Sequence, residues 1–339
     1  MERRTRGLVG QSGSAAAGRG RRVAAWVAGV ALLLLLLAAG GLAWLGAYLR
    51  DRGPAKLVAF RPDLPGDLRP GISLSIEGHR MQESGELEPY SFTVTTNSLG
   101  FRGGEVTLGP ESRVVMTIGD GYAFGTSVDG NNTLCDALNQ DLPRRFPGQG
   151  LACVNAALPG MNLVDEQQYM EEKGRRLAPE LLVVVLSKDD VWEMARPVQV
   201  REAMRCMPDS AWCSLRFLFY RRYYQLFATR DRVMRLSDDS PERTYAPLLG
   251  QYLEQLDRLV ALVRGWGGRV LIVTESFEFE SLREGLSAAG IPYLELSPRD
   301  APRSLELAPD GHWAAATHRV AAGLVAAWME AQATPGRPR

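Results

Sequence analysis

Asp310 and His312 stand two residues apart in PDGHWAAATH (Pro309 to His318), immediately before an apolar helical pattern. That spacing and place suit general-base chemistry. A loop entering a helix presents both side chains together, and a carboxylate bonded to one ring nitrogen fixes the tautomer that leaves the other nitrogen able to take a proton. The blander reading of the same pair is a helix N-cap beside a satisfied histidine. Three further segments place small or acidic residues directly after apolar runs: IGDGYAFG (Ile118 to Gly125), ALPGMN (Ala157 to Asn162) and LSKDD (Leu186 to Asp190). His318, six residues beyond His312, falls on a different helix face and is expected to pack or to face solvent, and His79 has no visible partner in the sequence. With three histidines in all and no CxxC or Cys/His spacing, neither a metal site nor a cofactor is expected.

The elements around these segments alternate in type. Apolar runs RVVMTIG, LACVNAAL, LLVVVLS, RVLIVTES and IPYLEL are separated by helical patterns around Leu134 to Arg145, Leu163 to Leu177, Tyr245 to Arg264 and Ser281 to Ala289, and a last one runs from Ala314 to Met329. Continuous apolar strands alternating with helices predict a parallel sheet covered on both faces, an α/β three-layer sandwich whose site lies in loops at the strands' C-terminal ends. Residues 50–103 read as a β-rich lead-in and 104–335 as the main domain, interrupted by an insertion at about 196–240. That insertion holds LRFLFYRRYYQLFATRDRVMR, which fits a lid, a membrane-surface patch or, most plainly, a docked helix with solvated arginines.

The order and spacing of the four segments, with TNSLGFRG (Thr96 to Gly103) ahead of them, resemble the SGNH/GDSL hydrolase family of esterases and acyltransferases over roughly Asn97 to Trp328. The resemblance implies a flavodoxin-like parallel sheet and ester chemistry. It places Gly121, beside Asp120, where active members carry the attacking serine, so no acyl-enzyme forms at that position by the usual route. It also implies oxyanion-hole positions at Gly121, Gly160 and Asp189, with Asp190 following. A carboxylate at 189 in place of the family's asparagine would repel a developing oxyanion instead of donating to it. Asp310 and His312 match the family's orienting carboxylate and base, in the Asp-Gly-His-Trp form of its exopolysaccharide-acetylation branches. Nearby hydroxyls do not read as stand-ins: Tyr122 points away from position 121 if the chain is extended there, and Thr126 and Ser127 lie beyond Gly125. Direct activation of water by His312 is the remaining route, with general-base help of roughly 10²–10⁴-fold.

Where the chain works is read from charge and hydropathy. Net charge is zero, with 39 basic and 39 acidic residues, so nucleic acid is not an expected partner. Yet residues 1–22 carry six arginines against Glu2 alone, and the remainder is mildly acidic. Between them, Val23 to Tyr48 contains no charged residue. At about 1.5 Å per helical residue that run crosses a ~30 Å hydrocarbon core, with Trp26, Trp44 and Tyr48 near its ends. Residues 23–49 are therefore expected to be a single-pass anchor in the inner membrane, with residues 1–22 cytoplasmic and the body periplasmic or extracellular. That compartment permits disulfides, for which Cys135, Cys153, Cys206 and Cys213 are candidates. Three functions stay open: a binding protein for an acylated glycan or lipid, alone or in an envelope protein complex; a working hydrolase or acyltransferase with an unusual nucleophile; and a structural partner with a vestigial pocket.

Overall fold

A computed structural model describes residues 12–50, 56–59, 66–81, 87–187, 190–193, 241–275, 280–296, 307–308 and 311–333. The expected insertion at about 196–240, Asp189, Asp310, Cys206 and Cys213 lie outside the described residues.

The longest element follows from the longest apolar run. Helix α1 (Ser12–Arg50) contains the stretch Arg22–Tyr48, long and apolar enough to cross a membrane. Its leucines Leu32 to Leu37 are all more than half exposed, with no cover from the described residues. Trp44 stacks on Tyr48 one turn later, ring centroids 5.3 Å apart.

Beyond it the lead-in forms two short strands, β1 (Val58–Ala59) and β2 (Asp67–Leu68), and a hairpin of β3 (Ser73–Met81) and β4 (Leu87–Thr95). The hairpin is antiparallel, with Ser73 opposite Thr95 and His79 opposite Pro89. It is not a separate body: Phe92, Val94 and Phe101 belong to the same core as the main sheet.

The main sheet is built from β5 (Arg113–Gly119), β6 (Leu151–Asn155), β7 (Leu181–Leu186), β8 (Arg269–Thr274) and β9 (Tyr293–Glu295). All pairings are parallel and the spatial order is β6-β5-β7-β8-β9. This is the doubly wound order 2-1-3-4-5, with its switch point between the first and third strands. Every residue of β7 is buried, as a central strand covered on both faces must be.

Between strands run α2 (Gly121–Phe124), α3 (Leu134–Arg145), α4 (Leu163–Tyr169), a π-helical turn (Met170–Gly174), α5 (Arg175–Leu177), α6 (Asp190–Glu193), α7 (Pro241–Arg264) and α8 (Glu280–Ala288); α9 (Ala315–Ala333) closes the chain. Right-handed crossovers put α3 on one face and α4, α7 and α8 on the other. The packing agrees: α9 lies against α3, while α7 contacts α4, α6 and α8. Two helices differ from the sequence reading. The pattern from Leu163 to Leu177 is broken by the π turn, and α7 starts at Pro241, ahead of Tyr245, because proline is tolerated in a helix's first turn.

Strand β6 is one edge of the sheet, and its backbone is engaged at Cys153. Asn139 on α3 brackets Cys153, accepting from its N–H at 2.7 Å and donating to its carbonyl at 2.9 Å. Cys153 is also disulfide-bonded to Cys135 at the start of α3, with Cα atoms 5.4 Å apart.

Candidate active site

Strand β5 delivers the first segment. At its end Asp120 caps α2, its Oδ1 accepting from the Tyr122 N–H at 2.9 Å. The helix is four residues long and stops at Gly125, whose φ of +76° is a left-handed cap that favours glycine. That cap reverses the chain, so the N–H groups of Gly125 and Thr126 both donate to the carbonyl of Gly121, at 3.1 and 3.0 Å.

The two neighbouring strand ends are tied to this turn. Ser187, after β7, donates its hydroxyl to Asp120 Oδ2 at 3.2 Å, across the switch point. Asn155, at the end of β6, donates its side-chain amide to the Ala123 carbonyl at 3.0 Å. Its Oδ1 accepts from the Ala157 N–H at 3.1 Å, shaping the loop that carries Gly160. Gly160 is half-buried with φ +78°. Below the turn, Tyr252 on α7 is fully buried, and its hydroxyl is held well above its ordinary pKa, first by burial and then by Asp190, Glu166 and Asp120.

His312 arrives from the other side. Its loop is pinned by the Ala308 N–H donating to the His312 carbonyl at 2.7 Å and by a bridge between Leu307 and Trp313. The imidazole reaches Gly121 directly: a Cβ at position 121 would overlap its Nε2 and come within 2.9 Å of Cδ2 and 3.0 Å of Thr126 Oγ1. Position 121 has no left-handed φ, so the backbone accepts any residue there; a side chain would have to displace the imidazole.

Two expectations about neighbouring hydroxyls change. Tyr122 is not directed away from the site: the condition for that, an extended chain at 121, is not met, because Asp120 caps a helical turn there. Its ring lies 4.8 Å from that of His312 and its hydroxyl donates to the Gly311 carbonyl at 3.3 Å. Thr126, expected beyond reach, is returned to Gly121 by the Gly125 reversal. Ser127 does leave the site, its hydroxyl donating to the Tyr90 phenol at 3.1 Å.

His318 is a packing residue, fully buried between α9 and α3. Its Nδ1 accepts from the Leu134 N–H at 3.2 Å, and its pKa is lowered to about 3, chiefly by burial, then by Arg102 and His312. Arg102, in TNSLGFRG, was not singled out from the sequence. Its buried guanidinium donates to the Val128 carbonyl at 2.8 Å, lies 5.4 Å from the Phe124 ring centroid, and has its pKa lowered by burial to about 10. It holds the loop that follows α2. Among the described residues, no group of three or more His, Cys, Asp and Glu side chains is placed to hold a metal ion.

No family model matches the chain, and no curated protein does. Solved structures do. One is LAE5, an alpha/beta hydrolase enzyme from the metagenome of Lake Arreo, Spain, at 18% identity and TM-score 0.38, covering 63% of this chain and 94% of that one. A second is a catalytic mutant of Axe2, an acetylxylan esterase from Geobacillus stearothermophilus, at 15% identity and TM-score 0.39, covering 69% and 100%. A third is the lipase/acylhydrolase from Enterococcus faecalis, at 12% identity and TM-score 0.40, covering 67% and 100%.

Proposed function

We propose that the chain is a membrane-anchored, extracytoplasmic protein of SGNH/GDSL-hydrolase-like design that binds an acylated glycan or lipid of the cell envelope, with the serine route closed. One observation carries this reading: the imidazole of His312 lies against the Cα of Gly121, in the space a nucleophile's side chain would need. The base is kept and the attacking oxygen at 121 is gone, an arrangement suited to holding an ester without forming an acyl-serine.

Two further features support the setting. The disulfide between Cys135 and Cys153 fits an oxidising compartment, and the uncovered leucines of α1 fit lipid. The arginines of residues 1–22 favour a cytoplasmic N-terminus. Asp310 is assigned as orienter of His312, and Gly121, Gly160 and Asp189 as the remnant of the oxyanion hole. A partner complex in the envelope is the remaining part of the proposal.

The test is calorimetric binding of acetylated and chemically deacetylated xylo-oligosaccharides, and of acylated lipid micelles, to the full chain in detergent. Preference for an acylated form, weakened by His312→Ala, is the expected result. Steady-state hydrolysis of these esters by the unaltered protein, or equal indifference to every form, overturns it.

A further inference from the structure

Thr126 Oγ1 is buried and makes no hydrogen bond among the described residues. A hydroxyl both donates and accepts, so a buried one without a protein partner is costly. Its surroundings suggest a use. Thr126 Oγ1 and His312 Nε2 border a single point beside the Gly121 Cα, the place from which a side chain at 121 would start. The backbone fixes the threonine there, through the left-handed cap at Gly125 and the hydrogen bond from the Thr126 N–H to the Gly121 carbonyl at 3.0 Å.

We infer that Thr126 is an acyl acceptor, its hydroxyl serving His312 from a position five residues downstream of the missing side chain. The inference rests on the ester-binding reading of this site and goes beyond it by forming a bond. Ligand entry tilts the imidazole off Gly121 and uncovers Oγ1. The threonine oxygen attacks the ester carbonyl carbon as its proton passes to His312 Nε2. The bond from that carbon to the ligand's alcohol oxygen then breaks, the departing oxygen takes the proton from Nε2, and the acyl group stays on Thr126 as an ester. No oxidant or co-reactant is needed. Release requires a water beside Nε2; once the alcohol has left, the ring settles back against Gly121, a side with no room even for a methyl group. Acylation therefore outpaces release, and the protein retains the acyl group.

The experiment treats the full chain in detergent with p-nitrophenyl acetate and reads intact mass, peptide mapping and hydroxylamine sensitivity. The expected result is one hydroxylamine-labile acetyl group per chain, on Thr126. It is lost in Thr126→Val, gained faster in Thr126→Ser, and slowed by about 10²-fold or more in His312→Gln. Melting curves matching the unaltered protein's qualify each variant. An unmodified Thr126 in the unaltered protein, or labelling of Thr126→Val at an unchanged rate, overturns the acyl-acceptor role. If acetylated oligosaccharides still bind in that case, the ligand reading stands; if binding is absent too, both fall.

Discussion

The imidazole of His312 rests beside the backbone of Gly121, with Nε2 close enough to clash with the first side-chain carbon of any other residue. Installing that carbon has two separable effects. Gly121→Ala pushes the ring aside and costs about 1–3 kcal/mol as overpacking. Gly121→Ser pays the same steric cost and adds an oxygen beside the base. Multiple-turnover hydrolysis of p-nitrophenyl acetate is expected for the serine variant and not for the alanine variant, with both melting below the unaltered protein.

Burial of His318 gives stability a pH dependence. The folded pKa is about 3 against an ordinary 6.5, so between those values the unfolded chain binds a proton that the folded one refuses. Stability is full above pH 6.5 and falls as pH drops toward 3, by up to about 1.4 kcal/mol per pH unit. Urea titrations across this range, compared with His318→Gln, isolate the contribution; a slope unchanged in the variant would contradict the assignment.

Arg102 is predicted to matter for the loop after α2 more than for charge. Removing its guanidinium leaves the buried Val128 carbonyl without that donor and the Phe124 ring without its cover. Arg102→Ala is expected to cost about 2–3 kcal/mol, and Arg102→Lys to recover part of it. Denaturant midpoints measure both.

The disulfide joins residues 18 apart in sequence. Replacing Cys135 and Cys153 together by serine is expected to lower stability by about 3 kcal/mol, read by thermal and urea unfolding. In intact cells the pair should resist alkylation until a reductant is added.

Orientation is checked by protease shaving. Digestion of the C-terminal body once the inner membrane faces outward to the protease, with residues 1–22 protected, is expected. A body that becomes sensitive only after the inner membrane is opened contradicts the topology.

The sheet was legible because its strands are buried on both faces: Leu181 to Leu186 is apolar at every position and buried at every position. Its loops were less so. Tyr122 turns away only if the chain is extended at 121, whereas the Asp120 carboxylate caps a helical turn too short to show periodicity. Thr126 lies past Gly125 in the sequence, and the left-handed conformation of Gly125, which the sequence does not show, brings it back. His318 could be read only as packing or surface, since one histidine on an alanine-rich helix carries no burial signal; the Leu134 N–H that it accepts comes from 184 residues away. Cys135 and Cys153 were neighbours in sequence, and their pairing depends on α3 folding back over the edge strand β6.

The hairpin ahead of the sheet has a practical consequence. Thr93 accepts from the Gly130 N–H at 2.9 Å and donates its own N–H to Asp129 at 2.7 Å, so the loop beyond Thr126 is stitched to β4. Any recombinant fragment beginning at the first sheet strand would cut those stitches and also discard Arg102. The shortest piece worth expressing for crystals or assays starts upstream of Ser73 and so keeps the whole hairpin.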